Sequence, residues 1–398
     1  MLICSTAPLI SGCCADEFTG VREAFARNFT DRAEVGAAVA VWVDGELVVD
    51  LWGGSADGSG ARPWRRDTLA SIYSGSKGLT STCVHLLAER GDIDLYAPVA
   101  RYWPEFGRAG KEDITLAMVM SHRSGVIGPR SRLHWSQATD WDAVCAHIAA
   151  ADPWWAPGTA QGYHMVTFGF ILGEVVRRVT GRTIGQYLRT EISEPLGADV
   201  HIGLPAAEHH RCAEMVGKPH IRDVLAAGTA PDHPHSLTEH PMAGLAVAMG
   251  FVPDDELGSN ALDAWREAEF PATNAHVSAL GMATFYNALA QEKLLSRRHM
   301  ETVRVCQGGF DTDMVLGPRV ADHGWGLGYM LNQRGVAGPN RRTFGHGGSG
   351  GSFAFVDLEH RIGYAYVMNH FDATKCNADP RTVALSDEVY RVLGVRVR

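Results

Sequence analysis

The chain has 398 residues, of which 45% are hydrophobic and 20% are charged, as in folded globular proteins. A formal net charge of −9, with no basic block along the chain, argues against a nucleic-acid-binding protein. No apolar run approaches the roughly 18 residues that a membrane span requires. The length predicts two or three domains rather than one.

Cysteine usage predicts a protein of a reducing compartment. The eight cysteines are scattered, with no C-x-x-C and no zinc-finger spacing, so we expect free thiols rather than a disulfide framework. Residues 10–13 superficially resemble a bacterial lipoprotein cleavage box. Residues 1–12, however, contain no Lys or Arg and are too short for a signal peptide. We therefore predict a cytoplasmic protein.

A helix followed by a β-hairpin is predicted near the N-terminus. The helix is indicated by apolar residues three or four positions apart, namely Phe18, Val21, Phe25 and Phe29. Two β-rich runs, 36–43 and 46–52, flank the dipeptide Asp44-Gly45, which is a strong signal for a tight hairpin turn.

The most informative stretch starts at Ser74, which forms an S-x-x-K motif with Lys77 at the head of a predicted helix. An apolar stripe follows at Leu79, Cys83, Leu86 and Leu87, and Gly91 is expected to cap the helix. Because residues three apart share one helix face, the amine of Lys77 can reach the hydroxyl of Ser74. A motif of four residues also occurs by chance, and a serine at a helix start is usually an N-cap, so catalysis requires partners elsewhere.

The pattern after Ser74 predicts a helical middle and a return to strands. Residues from about 80 to 300 are expected to be mainly helical, except for an irregular, His-, Pro- and Gly-rich segment at 199–260. Strands are predicted at 325–331, 352–357 and 362–369, followed by a closing amphipathic helix marked by Leu385, Val389, Val392 and Leu393. Strands at both ends of the chain predict an α/β (α+β) domain made of residues 1–75 and 310–398, with a mainly helical domain, 76–309, inserted between.

Two further stretches complete a recognisable set. Tyr163 begins a predicted helix behind a Pro-Gly turn, and His346, Gly347, Gly348 and Ser349 precede a late strand. An S-x-x-K motif, a mid-chain tyrosine and a Gly-rich strand, in that order, resemble the serine β-lactamase and penicillin-binding-protein superfamily. The resemblance is strongest to class C enzymes and to the β-lactamase-like carboxylesterases of esterase family VIII. It runs from about residue 20 to 395 without matching 199–260, and it is supported by the stretches 94–99, 121–125, 157–159, 169–174 and 324–328.

The resemblance implies a role for each residue. It implies a β-lactamase-like fold whose antiparallel sheet is flanked by helices, with the site between the two domains. Ser74 would be the nucleophile that forms an acyl-enzyme, and Lys77 and Tyr163 would move its proton, either of them serving as the base. The backbone N–H groups of Ser74 and Ser349 would form the oxyanion hole, beside His346, Gly347 and Gly348.

Two departures from the superfamily pattern favour an esterase. The tyrosine motif is commonly Y-x-N, and here Met165 stands in place of the Asn that would bind a lactam side chain. The third motif is often K-T-G, whose Lys attracts a lactam carboxylate, and here His346 stands in its place, at best partly charged near pH 7. We therefore predict a carboxylesterase for small or short-chain esters, without metal or cofactor and without nucleic-acid or membrane partners. The alternatives are a β-lactamase, a D-amino-peptide or amide hydrolase, an acyltransferase, and a non-catalytic ligand-binding domain of the same fold.

Several other residues are considered and mostly set aside. Residues 347–351 also satisfy G-x-S-x-G, but a strand rather than a helix is predicted to follow them. Seven histidines between 201 and 240 could bind a metal, although their spacing matches no metal motif. His122 and Arg123 are expected to belong to a structural turn. Four aromatic residues could line an acyl pocket or pack structurally, namely Trp135, Trp154, Trp155 and Tyr329.

Overall fold

The computed structural model describes residues 10–129, 133–134, 137–217, 251–252, 260–317, 324–372 and 379–397. Its strands are, in chain order, β1 (Ile10–Cys14), β2 (Gly36–Val43), β3 (Glu46–Gly54), β4 (Ala70–Ser71), β5 (Leu133–His134), β6 (Val200–His201), β7 (Phe251–Val252), β8 (His276–Val277), β9 (Met330–Leu331), β10 (Phe344–Gly347), β11 (Phe353–Asp357) and β12 (Ile362–Met368).

The described helices are α1 (Thr19–Asp31), α2 (Ser76–Arg90), α3 (Leu116–Met120), α4 (Trp141–Ala150), α5 (Thr167–Thr180), α6 (Ile184–Leu188), α7 (Glu194–Leu196), α8 (Asn260–Glu267), α9 (Ala279–Ala290), α10 (Arg297–Val303) and α11 (Pro380–Val392). A π-helical turn, Arg189–Ser193, joins α6 to α7. No helix in the described part of the chain combines the length and apolar character that crossing a membrane requires.

A seven-stranded antiparallel sheet, in the order β1-β3-β2-β12-β11-β10-β9, organises the fold. Its central pair joins the two ends of the chain, because β2 pairs with β12 from Ala37 opposite Met368 to Val43 opposite Ile362. The predicted antiparallel sheet built from both termini is therefore confirmed. The assignment of 76–309 to a separate domain stays a prediction.

The hairpin between β2 and β3 forms as the sequence predicts. Asp44 and Gly45 have φ values of 51° and 85°, so both central residues adopt the left-handed conformation that a type I′ turn requires. The backbone twist of such a turn matches that of the flanking strands, and glycine accepts the positive φ without steric cost.

Each face of the sheet is covered by its own apolar core. Along β12, Tyr364 and Tyr366 belong to a core shared with α1 and α11, whereas Ala365 and Val367 belong to the core beneath α2, α5 and α9. This alternation is the period of two that a strand imposes on its side chains. Gly363 allows α9 to approach closely, since a Cβ there would lie 2.4 Å from the backbone nitrogen of Asn287.

Two segments differ from the sequence predictions. Only Met330–Leu331 of the predicted strand 325–331 pairs as a strand, because the preceding residues turn toward α2, where Ser81 Oγ donates to the carbonyl of Gly328 at 3.0 Å. The segment 199–260 is irregular only in part. It contains β6, a 3₁₀ turn at Ala206–Arg211 and β7, while 218–250 and 253–259 lie outside the described residues.

Candidate active site

Ser74 lies in a sharp turn that leads from β4 into α2. The turn is a 3₁₀ segment, Tyr73–Gly75, so the α-helix itself begins two residues later than the motif suggests. Tyr73 has a φ of 44°, a left-handed conformation that costs a residue with a Cβ roughly 1–2 kcal/mol. Ser74 is partly exposed there, in contrast to the buried residues that follow it. Gly91 ends α2 with a φ of 83°, as predicted.

The turn is fastened to the chain that leads into β8. The backbone N–H of Ile72 donates to the carbonyl of Ala275 at 3.1 Å, and the N–H of Ala275 donates to Ser76 Oγ at 2.9 Å. Ser76 Oγ in turn donates to the carbonyl of Tyr73. The strained residue before Ser74 is thereby held by partners about 200 positions away.

Lys77 is completely buried on the helix face below Ser74. Its Nζ lies 2.9 Å from the carbonyl oxygen of Met165, 3.1 Å from that of Ala272 and 3.5 Å from Ser74 Oγ. No carboxylate of the described residues forms an ion pair with it. Burial lowers the pKa of Lys77 well below its usual value, because the ammonium form would lose its hydration. The arrangement therefore favours a neutral amine beside the serine hydroxyl.

Tyr163 is brought to the same place by the segment before α5. Lys77 Nζ lies 4.6 Å from the centroid of the Tyr163 ring, and the ring stacks on Trp325 with centroids 5.3 Å apart. The backbone N–H of Tyr163 donates to Asp313 Oδ1 at 3.0 Å. The fold thus brings Tyr163 beside Lys77 and Ser74, although 89 positions separate Tyr163 from Ser74 in the sequence.

His122 lies closer to this site than its predicted role in a structural turn implies. It has a φ of 62°, so it does lie in a turn, but its buried ring lies 4.6 Å from that of Tyr163 and 4.4 Å from that of Trp325, measured between centroids. Burial lowers its pKa, and the nearby His164 and Lys77 lower it further. Residues in such a turn follow neither the strand period nor the helix period, so the hydrophobic pattern of the sequence does not mark His122.

His164 and Met165 replace the last two residues of the Y-x-N pattern. His164 Nδ1 donates to the carbonyl of Gly162 at 2.6 Å, so its Nε2 accepts from the hydroxyl of Ser124, also at 2.6 Å. Burial lowers the pKa of His164 to about 4, which keeps the ring neutral near pH 7. Met165 contributes its carbonyl to Lys77, while its side chain joins an apolar cluster around Tyr163.

The Gly-rich strand lies directly against the Ser74 turn. His346 and Gly347 are part of β10, and because β9 pairs only with Phe344 and Gly345, they have no strand partner on that side among the described residues. Gly348 packs so closely that a Cβ there would lie 2.1 Å from the carbonyl oxygen of Ile72, two residues before Ser74. Ser349 follows in a partly exposed turn. The sequence predicts that this motif lies at the sheet edge. The strand β10 is second from the edge, and only its last two residues, His346 and Gly347, extend past the pairing with β9.

His346 is buried and neutral. Burial and the nearby Lys77 lower the pKa of its imidazole to about 3. The sequence predicts a histidine that is at best partly charged, whereas the structure indicates an uncharged one. The difference arises because burial cannot be read from the sequence. A positive charge that could attract a carboxylate is absent at this position near pH 7.

The turn after Gly348 is held by a buried arginine that no sequence motif marks. Arg381, on α11, is 1% exposed and donates from Nη2 to the carbonyl of Gly350 at 2.6 Å. It also forms ion pairs with Glu34 at 2.9 Å and Asp379 at 2.6 Å. The guanidinium thereby joins the Gly-rich turn to the segment between α1 and β2 and to the start of α11, which are distant in sequence.

The alternative site residues are placed as follows. Ser349 is followed by β11 rather than by a helix, so residues 347–351 do not form a nucleophile elbow. His201 pairs with Asp199 and His209 with Asp263. The histidines at 220, 233, 235 and 240 lie outside the described residues, within which no group of three or more His, Cys, Asp or Glu side chains is arranged to hold a metal ion.

The aromatic residues considered for an acyl pocket separate into two groups. Trp154 and Trp155 pack in the apolar cluster around Tyr163, together with Met165 and Leu316. Tyr329 is fully buried, and its hydroxyl donates to the carbonyl of Gly78 at 3.1 Å, so it has a structural role behind α2. Trp135 lies outside the described residues.

Comparison with known proteins agrees with this fold. The family model described as Beta-lactamase matches residues 21–387, and the chain belongs to that family. The esterase/β-lactamase LipL of Mycobacterium tuberculosis is 34% identical over 368 residues, covering 90% of this chain and 83% of that protein. The esterase EstB of Burkholderia gladioli is 27% identical over 393 residues, covering 92% of this chain and 93% of that protein. The crystal structure of a family VIII carboxylesterase is 41% identical, with a TM-score of 0.81, and covers 96% of this chain and 100% of that chain.

Proposed function

We propose that this protein is a serine carboxylesterase that cleaves small, uncharged esters through an acyl-enzyme on Ser74. The observation that carries the proposal is the hydrogen bonding of Lys77. A neutral amine has two N–H groups and one lone pair, and the carbonyl oxygens of Met165 and Ala272 accept both N–H groups. The lone pair is left for the hydroxyl proton of Ser74, whose oxygen lies 3.5 Å away.

Lys77 is accordingly the base that starts acylation. It removes the proton as Ser74 Oγ bonds to the ester carbonyl carbon, and the carbonyl π electrons move to oxygen. The distance of 3.5 Å is longer than a good hydrogen bond, and such contacts shorten when substrate binds. The ammonium that forms then faces the rings of Tyr163 at 4.6 Å and Phe168 at 5.7 Å, which favour a cation.

Tyr163 passes the proton to the leaving alcohol as the tetrahedral intermediate collapses. Its ring lies directly beside Lys77 Nζ, so its hydroxyl is the relay that we assign between the amine and the leaving oxygen. The backbone N–H groups of Ser74 and Ser349 stabilise the oxyanion. This assignment is supported by the packing of Gly348, the residue before Ser349, against the carbonyl of Ile72 in the segment that leads to Ser74. Water then cleaves the acyl-enzyme by the same steps in reverse.

Two features favour an ester over an anionic lactam. His346 is neutral near pH 7, so it does not attract a carboxylate as a lysine would. Met165 packs an apolar side chain against the cluster around Tyr163, at the position where the commoner motif has a lactam-binding amide. A pocket with these walls suits an uncharged acyl or alcohol group. The relatives named esterase and the carboxylesterase structure support the same choice.

The decisive experiment compares the wild type with Ser74→Ala on p-nitrophenyl butyrate and on a chromogenic cephalosporin. We expect ester hydrolysis that falls at least about 10³-fold in a folded Ser74→Ala protein. Faster turnover of the cephalosporin would favour the second candidate, a β-lactamase, which the name of the mycobacterial relative also suggests. Ester hydrolysis that survives the substitution would refute the assignment of Ser74.

We also propose that the protein is cytoplasmic and that its site lies between two domains, 1–75 with 310–398 and 76–309. The cytoplasmic location is supported by the free thiols of all six cysteines within the described ranges. The two-domain division is supported by the chain order of the elements, since the large sheet uses strands from 10–54 and 330–368, and α2 to α10 come between them.

A further inference from the structure

The side chain of His346 projects toward the candidate site. In the register of β10 with β11, His346 lies opposite Ala354, and Ala354 belongs to the core beneath α2 rather than to the core on the other face. The imidazole centroid is 5.7 Å from that of Trp325 and 6.3 Å from that of Tyr163. Its ring is therefore part of the wall on which a bound ester would rest.

The hydrogen bond of Nδ1 fixes which nitrogen of His346 carries the proton. Nδ1 lies 2.7 Å from the carbonyl oxygen of Gly347, and a carbonyl oxygen can only accept. Nδ1 is therefore the N–H of the neutral ring, and Nε2 carries the free lone pair. The low pKa of this histidine agrees with a ring that remains uncharged near pH 7.

This lone pair has no partner within the described part of the chain. His346 is 2% exposed, and its Nε2 receives no hydrogen bond from any described group. A buried acceptor without a donor is unfavourable, and a catalytic or binding role is one of the explanations for such an atom in a folded protein. Lys77 does not supply the donor, because its N–H groups point to the carbonyls of Met165 and Ala272.

We propose, as an extension of the proposed esterase function, that His346 Nε2 selects uncharged esters that carry a hydroxyl group near the scissile bond. A hydroxyl donates to the lone pair and removes the cost of leaving it unpaired. An alkyl group of the same size leaves that cost in place, and a carboxylate adds repulsion between two acceptors. Discrimination of this kind arises wherever a site is built to bind a polar group of its substrate.

The test uses two pairs of esters that match in size and differ in one hydroxyl. Ethyl 3-hydroxybutanoate is paired with ethyl 3-methylbutanoate for the acyl side, and 2-hydroxyethyl butanoate with propyl butanoate for the alcohol side. We measure kcat/KM in a pH-stat and divide each value by the rate constant for hydrolysis by hydroxide, which removes differences in intrinsic reactivity. We expect the hydroxylated ester to be favoured about fivefold or more in at least one pair, as one neutral hydrogen bond implies.

The matched variants are His346→Phe, which keeps a ring without an acceptor, and His210→Phe at an exposed histidine. The ratio of the corrected kcat/KM values for the two esters of the pair should fall to about one in His346→Phe. It should remain as in the wild type in His210→Phe. If circular dichroism shows that the His346→Phe protein is unfolded, His346→Leu serves as the second variant without an acceptor. A wild type without preference in either pair, or a preference that survives in a folded acceptor-free variant, would overturn the inference. A wild type that hydrolyses none of the four esters would instead overturn the proposed function itself.

Discussion

The backbone N–H of Tyr163 donates to Oδ1 of Asp313 over 3.0 Å, although 150 positions separate the two residues. The same oxygen accepts from the N–H groups of Val315 and Leu316 at 2.9 Å each. Asp313 is completely buried, and its carboxyl group fixes where the Tyr163 backbone lies.

This contact predicts different results for two substitutions at one position. Asp313→Ala removes the acceptor, and we expect kcat on p-nitrophenyl butyrate to fall about 100-fold, because small displacements of a reacting group have effects of that size. Asp313→Asn keeps an oxygen for the three N–H groups and should retain activity within about threefold. The exposed Asp311→Ala is the control. Equal losses in the Asn and Ala variants would show that the charge, rather than the hydrogen bonds, is required.

The close approach of Gly348 to Ile72 predicts that a single methyl group is harmful there. A Cβ at Gly348 would lie 2.1 Å from the Ile72 carbonyl, so Gly348→Ala must displace the strand or the Ser74 turn. We expect slower labelling of Ser74 by a fluorophosphonate and a loss of roughly 1–3 kcal/mol in the free energy of unfolding. Gly309→Ala is the matched control, since nothing lies within 4 Å of its Cβ position. Similar behaviour of the two variants would contradict the packing described here.

Arg381 is expected to support both stability and the geometry of the Gly-rich turn. Arg381→Ala leaves the buried Glu34 and Asp379 without their cation, which typically costs about 3–5 kcal/mol. Denaturant unfolding would measure this loss, and the exposed Arg391→Ala should show no change. Because Arg381 also binds the Gly350 carbonyl, millimolar methylguanidinium should restore part of the esterase activity of Arg381→Ala. A variant with unaltered activity would exclude this positioning role.

The low pKa of Lys77 predicts the form of the pH–rate profile. The neutral amine is the active form, so kcat/KM should fall about tenfold per pH unit as the pH drops below the pKa of Lys77 in the folded protein. Above that pKa the rate should reach a plateau well before pH 10, where an ordinary lysine titrates. Lys77→Arg, which stays protonated, should be inactive throughout. A rate that continues to rise tenfold per unit up to pH 10 would be inconsistent with a neutral Lys77.

Buried neutral histidines predict a loss of stability in mild acid. Five histidines are buried in the described part of the chain, and burial lowers the pKa of each of them, namely His85, His122, His164, His276 and His346. In the unfolded chain each binds a proton below about pH 6.5, while the folded protein does not, so the unfolded state gains protons as the pH falls. Each histidine should lower the free energy of unfolding by about 1.4 kcal/mol at pH 5.5. Urea unfolding at pH 7.5, 6.5 and 5.5 would measure the decline, and equal stability at the three values would contradict it.

The sequence predicts local features of the site better than contacts between distant segments. The pairing of Ser74 with Lys77 depends on helix spacing, and the type I′ hairpin depends on Asp44 and Gly45, so both can be read from a few residues. His122, Asp313 and Arg381 reach the site only through the tertiary fold. Their residue types occur throughout the chain, and no local period distinguishes them. The neutral state of His346 likewise cannot be predicted from the sequence, because it depends chiefly on burial.

The pairing of β2 with β12 has a consequence for how the protein is made. Residues 37–43 leave the ribosome early, but their partner strand, Ile362–Met368, is synthesised more than 300 residues later. Until then the centre of the sheet has one open edge, and strand edges of this kind are prone to intermolecular association. Nascent chains should therefore require protection by chaperones for most of translation, and proteins truncated before residue 362 should aggregate rather than fold.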